Sequence, residues 1–229
     1  MSEAVAATAP ALIPLKGLRG SIARNMSAGW QAPRVAMAVD VDMTACQALQ
    51  ACVAEQGTKL TPTALVVRAA ALALRRHPAM NALMREGGIE RAPDVHVGLA
   101  VAVDGGLAVP VLREADTKSA TQLAAEAREL AAAARAGQLP PRAYQGGTFT
   151  VTSLGMTGID WFTPILNPPQ VGILGVSRVI ERAVVRGATV VPAPMTTLSL
   201  IFDHRAIDGH PAALFLRELA DLLEQAREL

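Results

Sequence analysis

The chain has 229 residues, enough for one domain or at most a domain and a half. It is 51% hydrophobic and 18% charged with a formal net charge of +1, which excludes a disordered chain and a nonspecific nucleic-acid binder. Aromatic residues make up 3%, too few for base-stacking platforms. Cys46 and Cys52 cannot form a disulfide framework. They lie in an apolar stretch and read as buried thiols of a reducing compartment. With no CxxC and no Cys/His cluster, no metal site is expected.

Residues Met1–Ala11 carry Glu3 and no Lys or Arg, so they lack the basic start of a secretory signal. Residues 1–12 read as a flexible Ala/Pro-rich tail, with the folded part, 13–229, beginning near Ile13. Ser21–Trp30 suits a short helix, and Arg34–Val41 alternates as a strand does. Asp42–Glu55 has helical spacing, with Asp42 or Thr44 as its cap and Gly57 as its stop. Thr63–Arg76 is a helix with Pro62 in its first turn, apolar nearly all round and hence buried on most sides. Val95–Val103 and Leu107–Leu112 are β-rich runs split by Asp104-Gly105-Gly106, a hairpin signal. Ser119–Ala136 is an Ala-rich helix ended by Gly137.

Further along, Thr148–Thr152, Val171–Val179 and Thr196–Phe202 read as strands, with a turn at Arg186-Gly187. Pro211–Arg227 is a helix with Phe215, Leu219, Leu222 and Leu223 on one face. The two longest charge-free runs, 17 residues each, are Ala143–Ile159 and Trp161–Ser177. Gly or Pro breaks both, so neither predicts a membrane span, and a cytoplasmic protein is expected. Helices and strands interleave, yet several strands follow one another through tight turns. That predicts an α/β two-layer sandwich on a mixed sheet rather than a doubly wound parallel one.

Three segments carry chemistry-bearing residues. Asp203-His204-Arg205-Ala206-Ile207-Asp208-Gly209 links the last strand to the last helix. A strand end holds a side chain rigidly, and His204 suits a general base near neutral pH. From spacing alone the same segment also fits a polar turn with a capping Asp. Gly146–Gly155 places the hydroxyls of Thr152 and Ser153 at a strand end, where a hydroxyl can donate to an oxyanion; equally, it is a Thr-rich strand. Thr163-Pro164-Ile165-Leu166-Asn167-Pro168-Pro169 is a Pro-fixed loop. His77, His96 and His210 read as helix-end, sheet and helix-start residues without a catalytic role.

In their order and spacing these segments resemble the catalytic domain of the dihydrolipoamide acyltransferases of 2-oxo-acid dehydrogenase complexes, over about residues 13–226. The match includes Ile13-Pro14-Leu15, Gly17-Leu18-Arg19, Leu60-Thr61-Pro62-Thr63 and Gly105-Gly106-Leu107-Ala108-Val109-Pro110-Val111. It continues through Gly146–Thr152, Phe162-Thr163-Pro164-Ile165 and Asn167-Pro168-Pro169 to Asp203-His204-Arg205 and Ile207-Asp208-Gly209. Chloramphenicol acetyltransferase is similar but more distant, and Asp203 before His204 favours the lipoamide branch.

The resemblance implies a chloramphenicol acetyltransferase-like fold, homotrimeric, with active sites between subunits. It implies acyl transfer between dihydrolipoamide and coenzyme A without a metal. His204 would be the base on the attacking thiol, Thr152 the oxyanion donor, and Asp208 a buried carboxylate paired with Arg19 or Arg24. Ser153, Asn167 and Arg19 would contact coenzyme A. Implied partners are a lipoyl-bearing protein and a 2-oxo-acid decarboxylase component, with no nucleic acid and no membrane.

The sequence also departs from the family's pattern. None of Lys16, Lys59 and Lys118 has the setting of a lipoyl lysine, and no lipoyl or subunit-binding domain is expected, so the lipoyl group would arrive in trans. Arg34 follows Ala32-Pro33 where many relatives have His, and Asn25 stands where a basic residue is common. The charged end Glu224–Leu229 predicts a trimer that assembles no further. Two other functions fit the resemblance: a small-molecule O-acetyltransferase of the chloramphenicol type, and a non-catalytic scaffold subunit.

Overall fold

In a computed structural model, residue 12 and residues 14–229 are described. The tail assigned to residues 1–12 therefore lies outside the described residues, Leu12 apart, and so does Ile13 as the start of the fold. The elements run α1 (Gly17–Trp30), β1 (Arg34–Asp42), α2 (Thr44–Glu55), α3 (Pro62–Arg76), β2 (Ala82–Arg85) and β3 (Gly88–Arg91). Next come β4 (Val97–Leu99), β5 (Val101–Val103), β6 (Gly106–Ala108), β7 (Val111–Leu112), α4 (Ala120–Arg135) and β8 (Phe149–Ser153). The chain ends with β9 (Gly172–Val176), β10 (Ile180–Arg186), β11 (Thr189–Asp203) and α5 (Gly209–Glu224).

Seven strands form one mixed sheet in the order β1-β11-β9-β8-β4-β7, with β10 paired to the first half of β11. Only β9·β8 and β8·β4 are parallel. Strand alternation gives the sheet two unlike faces. One carries Phe149, Val151, Leu174, Leu198, Leu200 and Phe202, which join α3 and α5 in the main core. Nine residues of α3 are buried, as its all-round apolar pattern predicts. On α5, Phe215, Leu219, Leu222 and Leu223 are at most 3% exposed. Each such side chain contributes about 1.5–3 kcal/mol by burial. The other face carries small and polar residues: Gly98, Thr150, Thr152, Gly175 and Ser199. There the helix α1 and the loop before β9 cover the sheet, over a small cluster of Leu166, Ile173 and Ile201.

Local signals explain most boundaries. The Thr61 hydroxyl accepts from Ala64 N, with Pro62 behind it. Ser119 and Gln122 form a reciprocal capping box at α4. The hairpin of β5 and β6 turns on Asp104-Gly105, where Gly105 has φ +79°.

Several expectations need correction. Asp42 is not the cap of α2; Met43 holds that position, and Asp42 Oδ1 accepts from Thr44 N and Oγ1. Burial alone would raise the Asp42 carboxyl. The bonds from Thr44 and the ion pair with Arg186 hold it below the usual range instead. The two runs around Asp104 each divide into two short strands, and His96 lies just outside β4. Of the cysteines, Cys46 is buried, donates to the Leu223 carbonyl and has its thiol pushed up to about 12 by burial, whereas Cys52 is exposed. Cys52 falls on the solvent side of α2 because six positions around a helix span well over one turn. Among the described residues, no helix is long and apolar enough to cross a membrane.

Candidate active site

His204 follows the last residue of β11. Its backbone N–H donates to the Pro33 carbonyl at 2.9 Å, and its ring lies 5.8 Å from that of Phe202. The turn beneath it is held by Asp203, which is 2% exposed. Asp203 Oδ1 accepts from Arg205 N and Nε, each at 3.0 Å, and Oδ2 from Arg205 Nη2 at 2.6 Å. The buried carboxylate of this segment is thus Asp203, and its arginine is Arg205.

That corrects the expectation for Asp208. Its side chain is 86% exposed, with Oδ1 3.8 Å from His204 Nδ1. It is the first residue before α5 but makes no side-chain cap, and neither Arg19 nor Arg24 pairs with it. Arg24 bonds instead to Ser21, and Arg19 is exposed on the first turn of α1. Proximity to His204 costs Asp208 little, because its carboxylate keeps its water.

Thr152 sits elsewhere. It points from β8 into a cavity of about 390 Å³ between α1, the sheet and the loop before β9. The cavity is mainly apolar, with Ile22, Met26, Phe162, Pro164, Ile165 and Ile173 in its walls. Thr152 Oγ1 has no hydrogen-bond partner among the described residues, so its proton is free to donate. Asn167 also lines the cavity and accepts from Asn25 at 2.8 Å. Ser153 does not line it; its Oγ accepts from Gly155 N at 3.4 Å. Helix α1 reaches this loop through Gly29, where a Cβ would collide with the Leu166 carbonyl. Gly175, beside Thr152 in the sheet, has room for no side chain either: a Cβ would lie 2.5 Å from Ser199 Oγ.

Within one chain His204 and Thr152 do not meet. Thr152 shares a row of the sheet with Gly175 and Ser199. His204 lies five residues further along β11 and two strands away from β8. At about 3.3 Å per residue and about 4.8 Å per strand, they stand roughly 19 Å apart. Asn25 and Thr150 add to the polar wall of the cavity, and Gln170 bonds to Thr150 from outside its lining; Thr150 and Gln170 were not legible as site residues. Their contacts span 17 to 23 residues, and the Thr-rich strand motif that holds Thr150 does not single it out from its neighbours.

Comparison with known proteins supplies the context. Residues 8–229 match the family model of the 2-oxoacid dehydrogenases acyltransferase (catalytic domain). A curated relative, the dihydrolipoyllysine-residue acetyltransferase component of the acetoin cleaving system of Bacillus subtilis, is 42% identical over 223 residues. The alignment covers 95% of this chain and 56% of that protein, so the chain spans little more than half the relative's length. Among solved structures, Azotobacter vinelandii dihydrolipoamide acetyltransferase superposes with a TM-score of 0.90 at 40% identity, covering 96% of this chain and 93% of that one. Its catalytic mechanism was investigated at a serine, at a histidine 52 positions later and at an asparagine 4 beyond that. Chloramphenicol acetyltransferase superposes with a TM-score of 0.56 at 14% identity, covering 87% of this chain and 94% of that one, a likeness of fold alone. The chain belongs to the 2-oxoacid dehydrogenases acyltransferase family and comprises its catalytic domain.

Proposed function

We propose that this chain transfers an acyl group between dihydrolipoamide and coenzyme A, at a site shared by two copies of itself. The single observation that carries this reading is the separation of two complementary halves. One half is an exposed, rigidly seated imidazole at His204. The other is a free hydroxyl, Thr152, in an apolar cavity with room for a thioester. Neither half can act on the other's substrate across roughly 19 Å, so the catalytic unit takes His204 from one copy and Thr152 from its neighbour. The spacings in this chain support the assignment: His204 lies 52 positions after Thr152, and Asp208 lies 4 after His204, as in the Azotobacter enzyme.

The chemistry follows from the groups. A free thiol has a pKa of about 8.5, so at neutral pH the imidazole of His204 takes the proton as the sulfur attacks. The thioester carbonyl becomes tetrahedral and its oxygen gains charge. The Thr152 hydroxyl donates to that oxyanion. Collapse expels the second thiolate, which recovers the proton from His204. Asp208 Oδ1 lies 3.8 Å from His204 Nδ1. Asn167 lines the cavity wall, and Ser153 and Arg19, which do not line it, are the other side chains proposed to contact coenzyme A.

The lipoyl group reaches the site from outside these 229 residues, since none of Lys16, Lys59 and Lys118 has the setting of a lipoyl lysine. A 2-oxo-acid decarboxylase component is the class of partner that would load it. The oligomer is a homotrimer, and residues 13–229 form one catalytic domain.

Acetyl-CoA and dihydrolipoamide, mixed with the wild-type chain, should yield S-acetyldihydrolipoamide. His204→Ala should lower kcat at least about a hundredfold. Equal rates in both proteins, or transfer to a hydroxyl acceptor only, would refute the reading.

A further inference from the structure

A continuous string of polar side chains runs from Gln170, behind the cavity, to Asn25 on its α1 wall, and its direction is fixed from one end. The Gly147 carbonyl can only accept, so Gln170 turns Nε2 toward it, at 3.0 Å. Gln170 Oε1 then faces Thr150 Oγ1 at 2.6 Å, and the Thr150 hydroxyl commits its one proton there. Toward Asn167 that hydroxyl can therefore only accept, and Asn167 presents Nδ2 to it at 3.4 Å. Asn167 Oδ1 is left for Asn25, whose Nδ2 donates at 2.8 Å. Thr150 is 1% and Gln170 6% exposed, so neither reverses its polarity by turning to water. Flipping either amide would set like groups against each other in a buried place.

The string thus ends on a defined atom. Asn25 Oδ1 lies at the α1 wall of the cavity with no partner among the described residues. Thr152 supplies a free donor on the β8 wall, and Asn25 supplies an oriented acceptor opposite the sheet. The rest of the lining is mainly apolar, so a ligand N–H there has little else to bond.

We propose that Asn25 Oδ1 accepts a hydrogen bond from an amide N–H of the arm that carries the reacting thiol, and that this contact selects amide-bearing arms. The inference rests on the acyltransferase reading above. Both thiols of that reaction hang on such an arm, the pantetheine of coenzyme A and the lipoamide chain. Asn167, Thr150 and Gln170 act through Asn25 as positioning residues.

The test compares dihydrolipoamide with the methyl ester of dihydrolipoate, which has an ester oxygen where the amide has N–H, using acetyl-CoA as donor. If the lipoyl arm is read, wild type prefers the amide about five- to tenfold in kcat/KM, the worth of one neutral hydrogen bond. Asn25→Ala then abolishes the preference. Thr150→Val, which cuts the string without touching Asn25, weakens it in the same direction. If the pantetheine arm is read, amide and ester react alike, and Asn25→Ala raises the KM for acetyl-CoA about five- to tenfold with kcat retained. A folded, active Asn25→Ala enzyme with both the preference and the KM unchanged overturns the inference alone. A wild-type chain that transfers to neither thiol overturns the inference together with the reading beneath it.

Discussion

At the scale of the residue, the two side chains proposed for catalysis differ in what they tolerate. A His204 that serves as the proposed base must move a proton, so neither Ala nor Gln can replace it. Thr152 need only present a hydroxyl. Thr152→Val keeps the β-branched shape and removes the donor, and it should lower kcat about 10²–10³-fold. Thr152→Ser should retain most of the rate, and steady-state kinetics on the purified variants check both. The cysteines give a second test. Burial raises the Cys46 thiol to about 12, so at pH 8 it stays protonated as well as covered. A thiol reagent should titrate one group in the native protein, Cys52, and two after denaturation. Two groups reacting at once in the native state would contradict the packing of α2 against α5. By spacing alone both strand-end segments also fit a polar turn and a Thr-rich strand, so His204 and Thr152 stand out only through the family resemblance. It misplaced Asp208, because sequence cannot say which of two carboxylates flanking a histidine turns inward. Arg205 is two residues from Asp203 and reaches both its oxygens, which decides the matter.

At the scale of the element, what was legible had a stereochemical cause close by in the chain. Helix α4 is the clearest case, with Ser119 and Gln122 bonded reciprocally and Gly137 at φ +67° beyond its end. Ser119→Ala should cost about 1 kcal/mol of stability, read as a lower denaturant midpoint at unchanged slope. The first half of β11 was hidden by Pro192 and Pro194, which argue against a strand. They sit at alternate positions, so both missing N–H groups face the same edge, away from β10. On that edge the Pro194 carbonyl is used, accepting from Met43 N at 2.7 Å. The hairpin of β2 and β3 was not legible at all. Each strand has 4 residues, β3 is exposed throughout, and the pair bonds chiefly to itself. Ala82 and Met84 of β2 do face the core, but four residues give too little alternation to read. At the junction of β1 and α2, bonds from Thr44 and Arg186 hold the Asp42 carboxyl low. A carboxyl lowered by folding contributes stability above its unfolded value and loses it as pH falls through the folded one. Asp42→Asn should therefore narrow the stability gap between neutral and acid pH in parallel melts, and an unchanged gap would show that the bonds contribute nothing.

At the scale of the whole molecule, the two faces of the sheet have separate duties. One face packs α3 and α5 into the core and fixes the rows of the sheet. The other keeps small and polar residues under α1 and leaves the catalytic cavity. The row geometry sets His204 and Thr152 far apart along and across the sheet, and no side-chain rotation closes that gap. The family resemblance implies a shared site, and a single chain's register, which keeps His204 and Thr152 roughly 19 Å apart, is compatible with one. The most direct test co-expresses His204→Ala and Thr152→Val chains with different tags and isolates mixed oligomers. Each variant alone is inactive. If every site takes its histidine from one copy and its threonine from the next, each mixed trimer, two copies of one variant and one of the other, restores about a third of its sites. Recovery near that level is the predicted result; mixed oligomers as inactive as the parents would place both residues in one subunit's site and contradict the account.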